Sequence, residues 1–500
     1  MASLQALREE VEVFCRAQAE ALADEAAGRV ALADLAAVDR AHPTVVAPDT
    51  GSALQAALGS ERTPEAQRPR LGMLVAFLGR AVVEAETRTA DDSLRQARRA
   101  KRVSAAGESR LLSTAWAAMA EEPDRPRRAA LAWTTEDAEL ELREGVQRRW
   151  EAMRIAAERA RVAPPGALQS PEQVAALETE AGEFLRSTGD AWREVLRYAC
   201  RRLDPDLNPL PRGDAALHDL VRLSSAPLAG AFPPADRLPA LRLWLDRSGL
   251  TLEAGGRVRL ETRTPSEAPL PAACFAVDPP ERIRLVTSGP AVGHGAFPAL
   301  LDAAGRARAA AAVSGSAPLE ARRMGDPAVR SSAGWLFRGV LRSERWLRRS
   351  LGQSRTTARE VARLSALTQL GELRMASVRL PLVRAMTASG PTRAAVEALA
   401  AALTEALFVQ VTPGAVLASL ARWPAEAEEL RAAALAERVL RQADERFDAD
   451  DFRNPGAARW LGGLWARGSE LDADALAQEI SGAPLSLAEV SRRLVAVLGA

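Results

Sequence analysis

The chain has 500 residues, of which 47% are hydrophobic and 26% charged, and its formal net charge is only +1. This composition is typical of a globular protein with a sizeable core, and no stretch reaches the roughly 20 uninterrupted apolar residues of a membrane span. The balanced charge excludes a whole-chain attraction to nucleic acid or to an anionic membrane surface. We therefore expect neither nucleic acid nor a membrane as a partner.

The N-terminal stretch MASLQALREEVEVFC is charged from residue 8 onward. It lacks the apolar core and small-residue cleavage site of a secretory signal, so we expect a cytoplasmic protein. The three cysteines, Cys15, Cys200 and Cys274, are far apart and form no CxxC spacing. This pattern favours free thiols over disulfides or a thiolate metal cluster.

Residues 1–250 have a helical pattern throughout and form the first predicted region. Apolar residues at three- and four-residue steps predict an amphipathic first helix, with the stripe Leu4, Leu7, Val11 and Phe14. A later helix is predicted to begin at Ser170, followed by Pro171 and by the capping-box residue Gln173.

Residues 251–289 form the second predicted region, and they carry the only β pattern that we find. TLEAGGRVRLETRT alternates around Val258 and Leu260, and RIRLVT alternates Ile283 with Leu285. We predict a small sheet of two or three strands. A free edge strand near residues 282–287 would let Ile283 and Leu285 contribute to peptide binding by strand addition, and His294 is a further candidate for peptide binding.

Residues 290–500 form the third predicted region, in which helices resume. The last helix is predicted to begin at Ser486, with Glu489 completing a capping box. The fold class predicted from these patterns is mainly α with a small β-sheet near the middle of the chain.

The segment PALLDAAGRARAAAA, residues 298–312, occupies a position where a zinc peptidase would carry its ligands. A zincin helix needs two histidines one turn apart and a glutamate beside the first to activate water. The surrounding frame resembles the thimet oligopeptidase and oligoendopeptidase F family of zinc metallopeptidases, which implies two helical lobes flanking a deep channel. The segments that carry the resemblance are FAVDPPERIRLVT (275–287), residues 298–312, MGDPAVRSSAGWLFRGVLRSERWL (324–347) and FRNPGAARWLGGLWARGSELDADAL (452–476).

The resemblance implies which residues replace the family's ligands. The first histidine corresponds to Asp302, the glutamate base to Ala303, the glycine to Gly305 and the second histidine to Arg306. The third ligand, a glutamate, corresponds to Ser331, which lies 25 residues after Arg306. An alanine removes the base, and a permanent cation stands where the metal would lie. We therefore expect no zinc and no other cofactor, and we expect Asp302 and Arg306 to form an i,i+4 ion pair.

The family's tyrosines and histidine on its C-terminal helices also lack counterparts here. The only tyrosine is Tyr198, and the corresponding stretch, residues 408–423, contains neither residue type. Such groups would stabilise an oxyanion during acyl transfer.

These replacements lead to three functional hypotheses. The first is a protein that is not an enzyme, a degenerate peptidase homologue that binds a peptide or a protein partner, including an active paralogue. The second is a hydrolase with a rearranged site that uses Asp302, His294 or Glu320. The third is a structural scaffold whose channel is filled by its own side chains.

Overall fold

The computed structural model describes residues 4–59, 64–162, 170–225, 234–263, 272–288, 296–448 and 454–499. Within these ranges the chain forms twenty-one α-helices and five β-strands. Three of the strands lie near the middle of the chain, so the predicted fold class, mainly α with a small central sheet, is confirmed.

Ten helices precede the central sheet. The predicted stripe of the first helix is buried at Leu7, Val11 and Phe14, and the Ser170 side chain accepts a hydrogen bond from the Gln173 amide, which confirms the predicted cap. The helices are α1 (Leu4–Ala26), α2 (Leu35–Ala41), α3 (Pro48–Leu58), α4 (Arg68–Ala100), α5 (Leu112–Glu121), α6 (Arg125–Glu141), α7 (Arg143–Ala160), α8 (Pro171–Leu203), α9 (Leu217–Ser225) and α10 (Pro234–Ser248).

A β-hairpin between α4 and α5 was not expected from the sequence. Strands β1 (Arg102–Ala105) and β2 (Glu108–Leu111) pair antiparallel. Ala106 and Gly107 connect them with φ values of 50° and 83°, the positive values that a two-residue hairpin turn requires. The strands are short and largely polar, which is why apolar alternation did not reveal them.

The central sheet has three strands, β3 (Val258–Arg263), β4 (Ala272–Asp278) and β5 (Arg282–Ser288). Their order is β3-β5-β4, with β5 parallel to β3 and antiparallel to β4. The expected free edge at residues 282–287 is therefore wrong, because β5 is paired on both sides. Ile283 and Leu285 are 0% exposed and belong to the core, so they are not available to a peptide.

Eleven helices follow the sheet. In the last of them, Leu487, Val490 and Leu494 are buried, as their spacing predicts. The helices are α11 (Ala296–Ala312), α12 (Leu319–Arg323), α13 (Pro327–Gly339), α14 (Glu344–Ser350), α15 (Arg355–Ser389), α16 (Arg393–Leu407), α17 (Pro413–Leu420), α18 (Glu426–Phe447), α19 (Pro455–Ala466), α20 (Ala473–Ser481) and α21 (Leu487–Gly499).

The largest hydrophobic core extends from Val83 on α4 to Leu498 on α21 and includes residues of β3 and β5. It draws side chains from all three regions that the sequence analysis distinguished, and the boundaries of those regions remain a prediction. None of the described helices combines the length and the apolar character needed to cross a membrane.

Candidate functional site

Helices α11 and α13 lie unusually close together, and this contact positions the candidate site. A Cβ atom on Gly305 of α11 would lie 2.2 Å from the carbonyl oxygen of Ala333 on α13. A Cβ atom on Gly334 of α13 would lie 2.3 Å from Oδ1 of Asp302. Glycine on each helix therefore permits the approach, since any side chain there would collide with the neighbour.

The residues that replace the family's ligands meet at this contact. Arg306 Nε donates to Asp302 Oδ2 at 2.8 Å, and Arg306 Nη1 donates to Ser331 Oγ at 2.8 Å. The Ser331 hydroxyl in turn donates to Glu428 Oε1 on α18. We call Asp302, Arg306, Ser331 and Glu428 the Arg306 cluster. The expected i,i+4 ion pair is confirmed, and the cluster extends it to two further helices.

The Arg306 cluster is closed on one side and open on the other. Ser331 is 3% exposed. The side chains of Arg306 and Asp302 are 38% and 24% exposed. Within the described part of the chain, Arg306 Nη2 donates to no acceptor. A guanidinium fixed by two hydrogen bonds thus keeps one edge facing water, where it can bind a planar acceptor.

The residues at this site do not fit a zinc ion. The Arg306 guanidinium lies between Asp302 and Ser331, the positions where metal ligands would stand. Ala303, at the position of the catalytic base, is 2% exposed and packs in the main core. Across residues 4–499, the described segments contain no group of three His, Cys, Asp or Glu side chains able to hold a metal.

Carboxylates from α15 and α18 lie near Arg338, whose charge also interacts with Asp302 of the cluster. Glu372 accepts a hydrogen bond from Arg338, and Glu426 accepts one from Arg379 Nε at 2.8 Å. Glu429 is exposed and has neither a hydrogen bond nor an ion pair through its side chain in the described segments. Loss of hydration among surrounding protein, together with the charges of Glu372 and Glu426, raises the pKa of Glu429 to about 7.

Strand β4 borders the cluster through Cys274. The charges of Arg306 and Asp302 act on this thiol in opposite directions, but its burial dominates and raises the pKa of Cys274 to about 12. The thiol is therefore protonated near neutral pH and is not an activated nucleophile.

Two other residues that the sequence analysis considered are not part of this arrangement. Glu320 is buried on α12 and accepts a hydrogen bond from Arg8 Nε of α1 at 2.6 Å, so it serves an ion pair with the N-terminal helix. His294 lies outside the described residues.

Glu428 and Glu429 are site residues that sequence reasoning missed. They belong to the acidic first turn of α18, a pattern that ordinarily indicates stabilisation of a helix N-terminus. Ser331 on α13, which bonds to Glu428, lies 97 residues earlier in the chain. No local pattern in the first turn of α18 indicates this contact.

No family model and no curated protein matches the sequence. Solved structures match the fold over most of the chain. An M32 carboxypeptidase from Deinococcus radiodurans R1 is 13% identical, with a TM-score of 0.61 and 99% of each chain covered. A carboxypeptidase from Pyrococcus furiosus is 12% identical, with a TM-score of 0.60, covering 100% of this chain and 98% of its own.

A protein assigned as oligoendopeptidase F from Bacillus anthracis str. Ames is 13% identical, with a TM-score of 0.57 and coverage of 91% and 83%. The resemblance to oligoendopeptidase F thus holds at the level of fold, and the M32 carboxypeptidases share it.

These comparisons correct the expectation that the chain is not an enzyme. The structures that share its fold are described as carboxypeptidases and peptidases, so the fold is one that supports catalysis. The altered residues show that a metal ion does not fit at this position. They do not show that the chain has no catalytic activity. The chain has the fold of these metallopeptidases.

Proposed function

We propose that this chain binds an extended peptide, or an extended segment of a protein partner, beside the Arg306 cluster. The observation that carries the proposal is that Arg306 is fixed by Asp302 and Ser331 while its side chain remains 38% exposed. An arginine held in place before binding loses little conformational freedom when a peptide carbonyl or carboxylate reaches it.

The edge of β4 supports the proposal by offering backbone groups to a peptide. Arg323 already occupies the end of this strand, because its Nη2 donates to the carbonyl of Val277 at 2.9 Å. For Ala272–Phe275, we find no comparable hydrogen bond from other described residues outside the sheet. An extended peptide could add there as a further strand, which replaces the β5 location expected from the sequence.

Opposite charges near the Arg306 cluster favour a peptide with polar character. Arg306 would bind an acceptor of the peptide, while the unpaired carboxyl group of Glu429 would bind a donor. We propose no zinc in this interaction, since a guanidinium lies among the ligand positions. An active peptidase with the same fold is one partner that the proposal includes.

A synthetic peptide library tests the proposal, with bound sequences identified by mass spectrometry. We expect binders whose affinity falls by about tenfold in Arg306→Ala. The matched control is Arg154→Ala on α7, which removes an arginine paired with Glu151 and Glu158 far along the chain. Methylation of alternate backbone nitrogens in a binder should also weaken it. A library without binders would support the scaffold hypothesis instead, and binders indifferent to Arg306 would contradict the proposed role of that residue.

A second candidate function is metal-independent hydrolysis of the bound peptide. The observation that favours it is the exposed carboxyl group of Glu429, whose pKa near 7 suits a general acid or base at neutral pH. Neither Glu320 nor Asp302 has comparable freedom, since each is engaged by an arginine. Cleavage products that persist with a chelator and vanish in Glu429→Gln would establish it. Intact peptides after long incubation would exclude it.

A further inference from the structure

A cavity of about 530 Å³ lies between α8, α9, α15 and α21, and none of its lining residues belongs to the Arg306 cluster. This volume is within the range of small-molecule sites, which is about 300 to 1,000 Å³. Its floor is aliphatic and consists of buried leucines from three helices, namely Leu223, Leu364, Leu367 and Leu498. Such a floor suits a hydrocarbon chain, because it offers apolar contact and no hydrogen-bonding groups.

The rim of the cavity is polar. Tyr198 is 57% exposed, and its hydroxyl accepts a hydrogen bond from Arg202. Arg202 Nη1 also pairs with Glu360 Oε1 at 2.7 Å, which neutralises that carboxylate. The mouth therefore has an aromatic ring and an ion pair above an apolar floor, an amphipathic arrangement.

Arg222 supplies a cation that lacks a carboxylate partner. Its Nη1 donates to the carbonyl oxygens of Ala120 and Glu121, each at 2.9 Å. Its Nη2 is accessible and donates to no acceptor among the described residues. Burial, together with the charge of Arg128, lowers the pKa of Arg222, while the more weakly acting carboxylates of Glu122 and Glu121 oppose this shift.

We propose that this cavity binds an amphipathic anion, a linear aliphatic carboxylate, with its chain on the leucines and its carboxylate at Arg222. The charged residues that line the cavity favour an anionic ligand. Three arginines line the cavity, Arg202, Arg222 and Arg363, against the two glutamates Glu194 and Glu360. A carboxylate head would give Arg222 the acceptor that it lacks. This site goes beyond peptide binding and does not depend on it.

Isothermal titration of the full chain with decanoate, below its micelle concentration, tests the proposal. Decanol is the matched probe, since it has the same chain without the charge. We expect decanoate to bind a single site and decanol to bind at least about tenfold more weakly. No binding of decanoate would overturn the proposal, and equal affinities would overturn the role of the arginine.

Two variants locate the site. Ala199 lines the cavity on α8, so Ala199→Trp should fill it and weaken decanoate by about tenfold or more. Ala175→Trp, at an exposed position about seven turns earlier on α8, is the control and should bind as the wild type does. Unchanged affinity in Ala199→Trp would place the site elsewhere and overturn the proposal.

If Ala199→Trp fails to fold, Arg222→Lys decides the matter. Lysine keeps the positive charge but loses the planar guanidinium and its Nη2 donor, so the preference for decanoate over decanol should fall while decanol affinity remains. A preference that stays unchanged would contradict the assignment of the head group to Arg222.

Discussion

Two ionic clusters of similar chemistry lie in different halves of the chain. In the first, which we call the Asp219 cluster, Asp219 Oδ1 accepts from Arg128 Nη2 at 2.8 Å, and the two side chains are 0% and 1% exposed. In the Arg306 cluster the distance from Arg306 Nε to Asp302 Oδ2 is also 2.8 Å, but the Arg306 side chain is 38% exposed and the Asp302 side chain is 24% exposed. Distance does not distinguish the two clusters, whereas exposure does.

This difference separates a structural role from a binding role. Asp219 also accepts from the Ala216 amide at 3.1 Å and contacts Arg125, so its oxygens are fully engaged inside the protein. The Arg306 cluster leaves one guanidinium edge open to water. An enclosed ion pair has large consequences when one partner is removed, while an exposed pair contributes little to stability and remains available to a ligand.

The largest expected effect comes from breaking the enclosed cluster. Asp219→Asn should lower the free energy of unfolding by about 3 to 5 kcal/mol, because it leaves the buried guanidinium of Arg128 without its carboxylate. Urea denaturation measures this loss. Asp214→Asn is the matched control, since Asp214 also pairs with Arg125 but is 71% exposed. Equal effects of the two substitutions would refute the distinction between closed and open pairs.

An intermediate effect is expected where α11 meets α13. Gly305→Ala would force a Cβ atom to 2.2 Å from the Ala333 carbonyl oxygen, so the helices must separate at a cost of about 1 to 3 kcal/mol. Peptide binding should weaken as well, since Ser331 would move away from Arg306. Gly189→Ala is the control, because no atom lies within 4 Å of the added methyl group on α8. A tolerated Gly305→Ala would contradict the close contact.

A smaller effect on stability is expected for the open cluster itself. Arg306→Ala should lower the free energy of unfolding by no more than about 1 kcal/mol, because the pair with Asp302 is partly exposed to solvent. The same urea denaturation measures it beside Asp219→Asn. A loss as large as that of Asp219→Asn would mean that Arg306 is chiefly structural, which would count against its proposed role in binding.

The smallest expected effect is a pH dependence at Glu429, because this residue is exposed and solvent screens the charges around it. The pKa of Glu429 is about 7 in the folded chain against an ordinary 4.5. As the pH rises, the Glu429 carboxyl group therefore loses its proton in the unfolded chain before it does so in the folded chain. The contribution to stability is fully present below about pH 4.5 and is lost as the pH rises through about 7. Glu429→Gln should therefore gain stability relative to the wild type between these values.

Thermal melting across this pH range measures the effect at Glu429. Glu144→Gln, at a side chain that is 83% exposed on α7, is the control. Parallel profiles for the wild type and Glu429→Gln would contradict the shifted pKa and would remove the support for a proton-transfer role.

Part of the candidate site could be predicted from the sequence because it depends on one helix. Asp302 and Arg306 are four residues apart, and helix geometry places such a pair on one face whatever surrounds it. Ser331 was predicted through the resemblance, and its hydrogen bond from Arg306 agrees with that position. Glu428 and Glu429 could not be predicted, since no local pattern indicates which helix packs against α13.

The sequence by itself determined the elements whose causes are local. The buried stripe of α1, the serine cap of α8 and the alternating strands near residues 258–288 follow from spacing and capping chemistry over a few neighbouring residues. Only the tertiary structure decided that β5 is central rather than an edge, that the Arg306 cluster joins three helices, and that Arg222 lies beside an apolar cavity. Strand order and packing between helices join residues far apart in the chain. The hydrophobic period and the secondary-structure propensity of a segment carry no information about such contacts.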